Sequence, residues 1–263
     1  MIGFNNLGIH GRLGNQMFQY AALLGISKKY DFEFCIPPSK FENVWKDHQL
    51  FKVFKLSSLR NVGYIVNNVP IIQERFYHFD NELFENCIDN SNLNGYFQTE
   101  KYFKHISNEV KENFNFHSEI INPCKEVIST KNEYISLHVR RTDYVSNSIE
   151  HPPLSLGYYK EALELVDSNK KVIVFSDSSD WCKEQDIFKP DRFLISENND
   201  NAIDLCLMTL CSEHIIANSS FSWWGSWLAN SQKVIAPINW YGTKGNTSKN
   251  NTKDLIPERW IRI

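Results

Sequence analysis

The sequence predicts an α/β protein, with a parallel sheet covered by helices on both faces in its second half. Three observations carry that prediction. From about residue 134 onward, short β-branched and apolar runs alternate with stretches of helical periodicity. At the start, an apolar run leads into a glycine-bearing turn and then a helical stretch. The unusual polar residues fall after Val139, Phe175 and Ala217, at the carboxyl ends of predicted strands, where parallel sheets take their ligands.

Each element follows in order. Residues 2–9 predict a strand, His10-Gly11-Arg12-Leu13-Gly14-Asn15 a turn, and residues 16–29 a helix. A second short strand is predicted over 32–36, closed by Pro37-Pro38. Between 39 and 95 aromatic residues occur without clear periodicity. Tyr102, Phe103, Ile106, Val110 and Phe114 recur at helical spacing, which predicts one amphipathic helix. The second half is more regular. Strands are expected at 134–139, 171–175, 193–195, 213–217 and 233–237. Helices are expected at 157–166, 201–210 and 221–228, with a short one after the polar turn at Ser176-Asp177-Ser178-Ser179. A boundary near residue 130 gives two domains, 1–130 and 131–263. Residues 243–253 read as a polar, mobile loop, whereas Leu255, Ile256, Trp260 and Ile261 give the tail reason to pack.

Composition excludes several classes. A chain of 263 residues can bury one large core or two modest ones. With 42% hydrophobic and 14% aromatic residues, disorder is excluded. A net charge of −3 and a pI near 6.2 give no basic face for nucleic acid. The opening residues lack the basic start and apolar core of a signal peptide. No apolar run reaches the ~18 residues of a membrane span, so a cytoplasmic location is expected. The six cysteines show no CxxC pairing and fit free thiols in a reducing compartment. Asn218, Asn246 and Asn250 open N-x-S/T sequons that carry little weight without secretion.

Four stretches carry chemistry. In His138-Val139-Arg140-Arg141-Thr142-Asp143, strand alternation sends His138 and Arg140 to one face. Paired arginines at a strand end suit a diphosphate, because the guanidinium fork matches phosphate oxygens. An internal ion pair to Asp143 is the alternative reading. The Gly8–Asn15 stretch places backbone N–H groups where a phosphate or sugar could approach, yet it is neither GxGxxG nor a P-loop. Asn218, Ser219 and Ser220 follow a strand and open a Trp-rich helix, another anion-binding context. Asp177 stands at a strand end, as an acceptor for a base edge or ribose or as a simple helix cap. No Asp-x-Asp triplet occurs to hold a divalent ion on a diphosphate.

Together, GRLGNQMFQYA (11–21), HVRRTDY (138–144), FSDSSDWCKE (175–184) and IIANSSFSWWGSWLA (215–229) resemble the motifs of α-1,2-fucosyltransferases, glycosyltransferase family 11. They stand in that family's order, and the resemblance runs from about residue 3 to the Pro257-Glu258-Arg259-Trp260 tail. It implies a GT-B fold, two Rossmann-like domains facing a cleft, with the N-terminal domain taking the acceptor and the C-terminal one GDP-fucose. It further implies inverting, metal-independent transfer of L-fucose from GDP-β-L-fucose to the 2-hydroxyl of a terminal β-galactoside. Neither metal nor cofactor is expected.

By the same resemblance, Arg140 neutralises the leaving diphosphate, Arg141 supports it, and His138 contacts the nucleotide. Asp177 recognises guanine or ribose, and Asn218, Ser219 and Ser220 contact phosphate or fucose. Arg12, Asn15 and Gln16 approach from the other domain. Asp143 is the first candidate for the base, followed by Glu150 and His151. The bacterial relatives that this chain resembles build surface polysaccharide such as O-antigen from the cytoplasmic side, which implies weak peripheral membrane contact. Rival readings are fucose transfer to a protein hydroxyl or a chitooligosaccharide, and a carbohydrate-binding protein without catalysis. A nucleotide-dependent oxidoreductase would need the glycine fingerprint that is missing.

Overall fold

The computed structural model describes residues 1–9, 11–39, 48–65, 68–130, 133–197, 200–231, 233–242 and 251–263. His10, most of the polar stretch at 243–253, and Asn246 and Asn250 lie outside the described residues. The chain forms two compact units, Met1–His117 with Ser248–Pro257, and Ser118–Thr247 with Glu258–Ile263.

In the first unit, five short parallel strands are β1 (Ile2–Gly3), β2 (Phe34–Ile36), β3 (Asn61–Val62), β4 (Ile71–Gln73) and β5 (Asn92–Asn94). They lie in the order β3-β2-β1-β5-β4. Helix α1 (Leu13–Tyr30) is buried from Leu13 to Ser27 apart from Asn15. It has no solvated face over that span, as expected of a helix apolar all round. Asp31 ends it in the left-handed region, φ 54°, with its N–H returned to Ser27 O. Short helices α2 (Leu50–Val53), α3 (Asn81–Glu85) and α4 (Ser107–Asn113) complete this unit. The predicted single helix through 102–114 is broken into two 3₁₀ turns, Glu100–Tyr102 and Lys104–Ile106, before α4. Phe103 at φ −135°, ψ 6° interrupts the helix, although Tyr102 and Phe103 are fully buried as the spacing predicts.

The second unit begins with α5 (Ser118–Val127), which packs on α9 (Asn201–Thr209) through Ile120 and Cys124; the Cys124 thiol points at Ile203 O, 3.8 Å away. The units therefore part at His117, not near residue 130, because α5 spends its apolar face on a helix of the second core. Strands β6 (Tyr134–Val139), β7 (Lys171–Ser176), β8 (Phe193–Ile195), β9 (Glu213–Ile215), β10 (Lys233–Ala236) and β11 (Ile261–Arg262) form one parallel sheet. Its order, β8-β7-β6-β9-β10-β11, is the doubly wound 3-2-1-4-5-6 arrangement. Central β6 and β7 are buried along nearly their whole length, hence their continuous apolar character. Ile135, Leu137, Val139, Val172, Val174, Ile215 and Ile235 build the core under Tyr159 and Phe188. The other helices are α6 (Thr142–Ser146), α7 (Leu156–Glu164), α8 (Ser179–Glu184) and α10 (Ser220–Ala229).

Candidate active site

In a doubly wound sheet the strand order reverses between the first and fourth strands, here β6 and β9, and ligands bind at the carboxyl ends there. Arg140 and Arg141 leave β6 at that point, and Asn218 and Ser219 leave β9. The start of α10 is tied to the end of β6. Tyr144 donates its hydroxyl to Asn218 O at 2.8 Å, and His138 Nδ1 lies 2.9 Å from Ser222 Oγ.

Arg140 is gripped from two sides. Its guanidinium meets Asp143 at 2.6 Å and Asp177 at 3.1 Å. The ion pair that sequence spacing left as an alternative is thus present, while 15% of the arginine side chain stays accessible. Arg141 lies with its guanidinium 3.8 Å from the centre of the Trp181 ring, a cation–π contact that fixes its plane.

Asp177 corrects its expected role. Its carboxylate accepts from Arg141 N at 2.8 Å, Thr142 N at 3.3 Å and Thr142 Oγ1 at 2.6 Å, besides pairing with Arg140. Those four donors fill the roughly four lone-pair sites of a carboxylate. Asp177 therefore organises the β6–α6 turn and leaves no capacity for guanine or ribose. His138, expected to contact the nucleotide, is only 4% exposed and is held against Ser222 of α10. Burial first, and then the Arg140 charge, lower its pKa to about 3, so the ring is neutral.

Asn218 is 1% exposed, and its amide nitrogen donates to Pro152 O and Trp240 O, which binds two loops to the strand end. Its side chain holds backbone in place and does not meet phosphate. Ser219 and Ser220 stay half-buried at the mouth of α10, with Ser219 as the helix cap. Trp223, Trp224 and Trp227 are core side chains: Trp223 stacks on Trp227, Trp224 meets both edge-on, and Trp260 packs tilted against Trp223.

In the first unit, Gly11 holds φ +95°, and a Cβ there would collide with the Asn15 side chain. Gln16, 2% exposed, accepts from Gln49 N at 2.8 Å and reaches Gly11 O at 3.4 Å, so it braces the turn. Arg12 is exposed at the start of α1, and Asn15 is half-buried. Thr142, Tyr144, Trp181 and Ser222 hold the site together and escaped the sequence reading, although all four stand inside the quoted motifs. Glu150, exposed, is bonded to Asn147 at 3.3 Å. His151 stacks on Tyr144 at 5.2 Å, and burial lowers its pKa. Among the described residues no three His, Cys, Asp or Glu side chains cluster as a metal site, and no helix is long and apolar enough to cross a membrane.

Comparison with known proteins places the chain among glycosyltransferases. An Escherichia coli α-1,2-colitosyltransferase is 32% identical, the match covering 96% of each chain. The E. coli O-antigen biosynthesis glycosyltransferase WbnK is 29% identical over 97% of this chain and 99% of its own. Galactoside α-(1,2)-fucosyltransferase 2 of Sus scrofa is 24% identical over 85% of this chain and 69% of that one. Among solved structures, the fucosyltransferase NodZ from Bradyrhizobium superposes with TM-score 0.59 at 14% identity, over 93% of this chain and 96% of that one. POFUT1 in complex with GDP-fucose gives 0.53 at 13% identity, over 100% and 97%. The fold is of GT-B type, built from two Rossmann-like α/β units. Residues 1–263 match the profile of Glycosyl transferase family 11, and the chain belongs to that family of glycosyltransferases.

Proposed function

We propose that this protein transfers L-fucose from GDP-β-L-fucose to the 2-hydroxyl of a terminal β-galactoside, with inversion and without a metal ion. The observation that carries the reading is the pair Arg140 and Arg141 at the switch point, beside the N-terminus of the ten-residue helix α10. Two fixed cations and oriented N–H groups suit a leaving diphosphate. Arg140 meets the phosphate oxygens and stabilises charge as the glycosidic bond breaks. Arg141, flat against Trp181, holds the second side.

An incoming diphosphate competes with Asp143 for Arg140. Asp143, 46% exposed, then takes the proton of the attacking hydroxyl as the sugar passes through an oxocarbenium-like state. Ser219 and Ser220 supply hydroxyls at the helix mouth, and in the first unit Arg12 and Asn15 are the side chains we assign to sugar. We place the enzyme in the cytoplasm, in the synthesis of surface glycan such as O-antigen.

A second donor is favoured by the 32% relative named for colitose, a fucose lacking its 3-hydroxyl. The test is turnover of both GDP-sugars with a panel of β-galactosides, chitooligosaccharides and folded protein domains, with and without EDTA. An α-1,2-fucosylated galactose that forms equally well in EDTA is the expected result. A product on another acceptor, loss of activity in EDTA, or preference for the deoxy sugar would each overturn the corresponding part.

A further inference from the structure

The first sheet has its own switch point. In the order β3-β2-β1-β5-β4 the direction reverses between β1 and β5, so the turns leaving those strands occupy the ligand end. They are laced together by amides: Gln98 Nε2 donates to Asn15 Oδ1 at 2.8 Å, Gln19 Nε2 to Gly95 O at 3.0 Å, and Asn6 Nδ2 to Asn94 Oδ1 at 3.1 Å.

The turn after β5 is awkward. Gly95 has φ +153°, which its lack of a Cβ allows, and Phe97, a bulky residue, has φ +55°, a conformation that needs support from outside. That support is Glu74, the residue following β4. Its carboxylate accepts from Tyr96 N at 2.7 Å and from Phe97 N at 3.0 Å. A Cβ on Gly95 would come to 2.5 Å from the Glu74 Cβ. Glu74 is 9% exposed. Burial pushes its pKa up to about 7, against the pull of the Phe97 and Tyr96 N–H groups and aided by the Asp80 charge. What this carboxyl supplies to the turn is geometry, through the two N–H groups it holds.

We propose that Glu74 is a positioning residue for the acceptor sugar: it fixes the Gly95–Gln98 turn, Gln98 then fixes Asn15, and Asn15 presents its amide N–H to a sugar hydroxyl. With Oδ1 taken by Gln98, Nδ2 of Asn15 lies over Gly11 as the donor. The inference rests on the reading that the 11–16 turn meets sugar.

The test compares the full chain with Glu74→Gln, Gln98→Ala and the double variant, and uses Glu74→Asp should Glu74→Gln not fold. Amide exchange at residues 11–16 should quicken about tenfold in Glu74→Gln as the hold on the turn is lost. The acceptor kcat/KM should fall by about 10²-fold, the cost of a misplaced group, with GDP affinity unchanged. The double variant should fall no further than the worse single one, because both act through Asn15. Lowered stability with unchanged exchange at 11–16, or faster exchange with unchanged kcat/KM, would overturn the proposal. A wild type that fucosylates no galactoside would sink the acceptor reading alone, and the exchange result would then decide on Glu74.

Discussion

Arg140 sits between two carboxylates that do different work, and substitution should separate them. Asp143→Asn is expected to abolish turnover while GDP still binds, whereas Arg140→Ala should cost about 10²-fold to 10³-fold in kcat and weaken GDP as well. Loss of GDP affinity in Asp143→Asn would make that acid a partner of Arg140 only. Glu74 offers a test by pH. Its folded pKa of about 7 exceeds the ordinary 4.5, so the folded state holds a proton that the unfolded state has lost. Its contribution to stability is therefore full below the unfolded value and is lost as pH rises through the folded one, about 3 kcal/mol in all. The stability of wild type relative to Glu74→Gln should decline between about pH 5 and pH 8, read by chemical denaturation; a constant difference would refute the burial argument. At this scale the sequence marked Arg140, Asp143 and the Gly11 turn by residue type and spacing. It did not show that Asp177 accepts from the β6–α6 turn or that Asn218 donates to Pro152 O and Trp240 O, because partners 22 to 66 residues apart come together only on folding.

The elements that were legible are those whose length lets a period show. Strands β6 and β7 and helices α1, α7, α9 and α10 fall within a few residues of expectation, because all but α7 bury a long apolar run and α7 keeps Tyr159 and Ala162 on one buried face. Strands β3, β4 and β5 span two or three residues each, and Asn92 and Asn94 of β5 carry polar side chains, so no alternation could mark them. Strand β11 was read only as a packed tail. It pairs with β10 through Ile235 and Ala236, and Ile263 N donates to Ala236 O while Ile238 N donates to Ile263 O. Deleting Ile261–Ile263 loses those two bonds at about 1 kcal/mol each. Thermal unfolding should then shift down by about 4–8 °C, with scanning calorimetry as the check; an unchanged transition would mean that β10 tolerates a bare edge.

For the molecule as a whole, the family motifs are shared between the two units, while the boundary moved because α5 joins the second core. If the nucleotide belongs to the second unit, GDP alone should slow amide exchange at residues 140–144, 177–181 and 218–222 and leave β1 to β5 unchanged. Protection confined to residues 11–16 would reverse the assignment.

The path of the chain has a consequence for biosynthesis. Leu255 and Ile256 are buried and fall in the first unit, whereas Trp260 and β11 fall in the second. A nascent chain thus lacks part of the first core until Leu255 and Ile256 have left the exit tunnel, and part of the second until Trp260 and β11 have, however early its N-terminal half is translated.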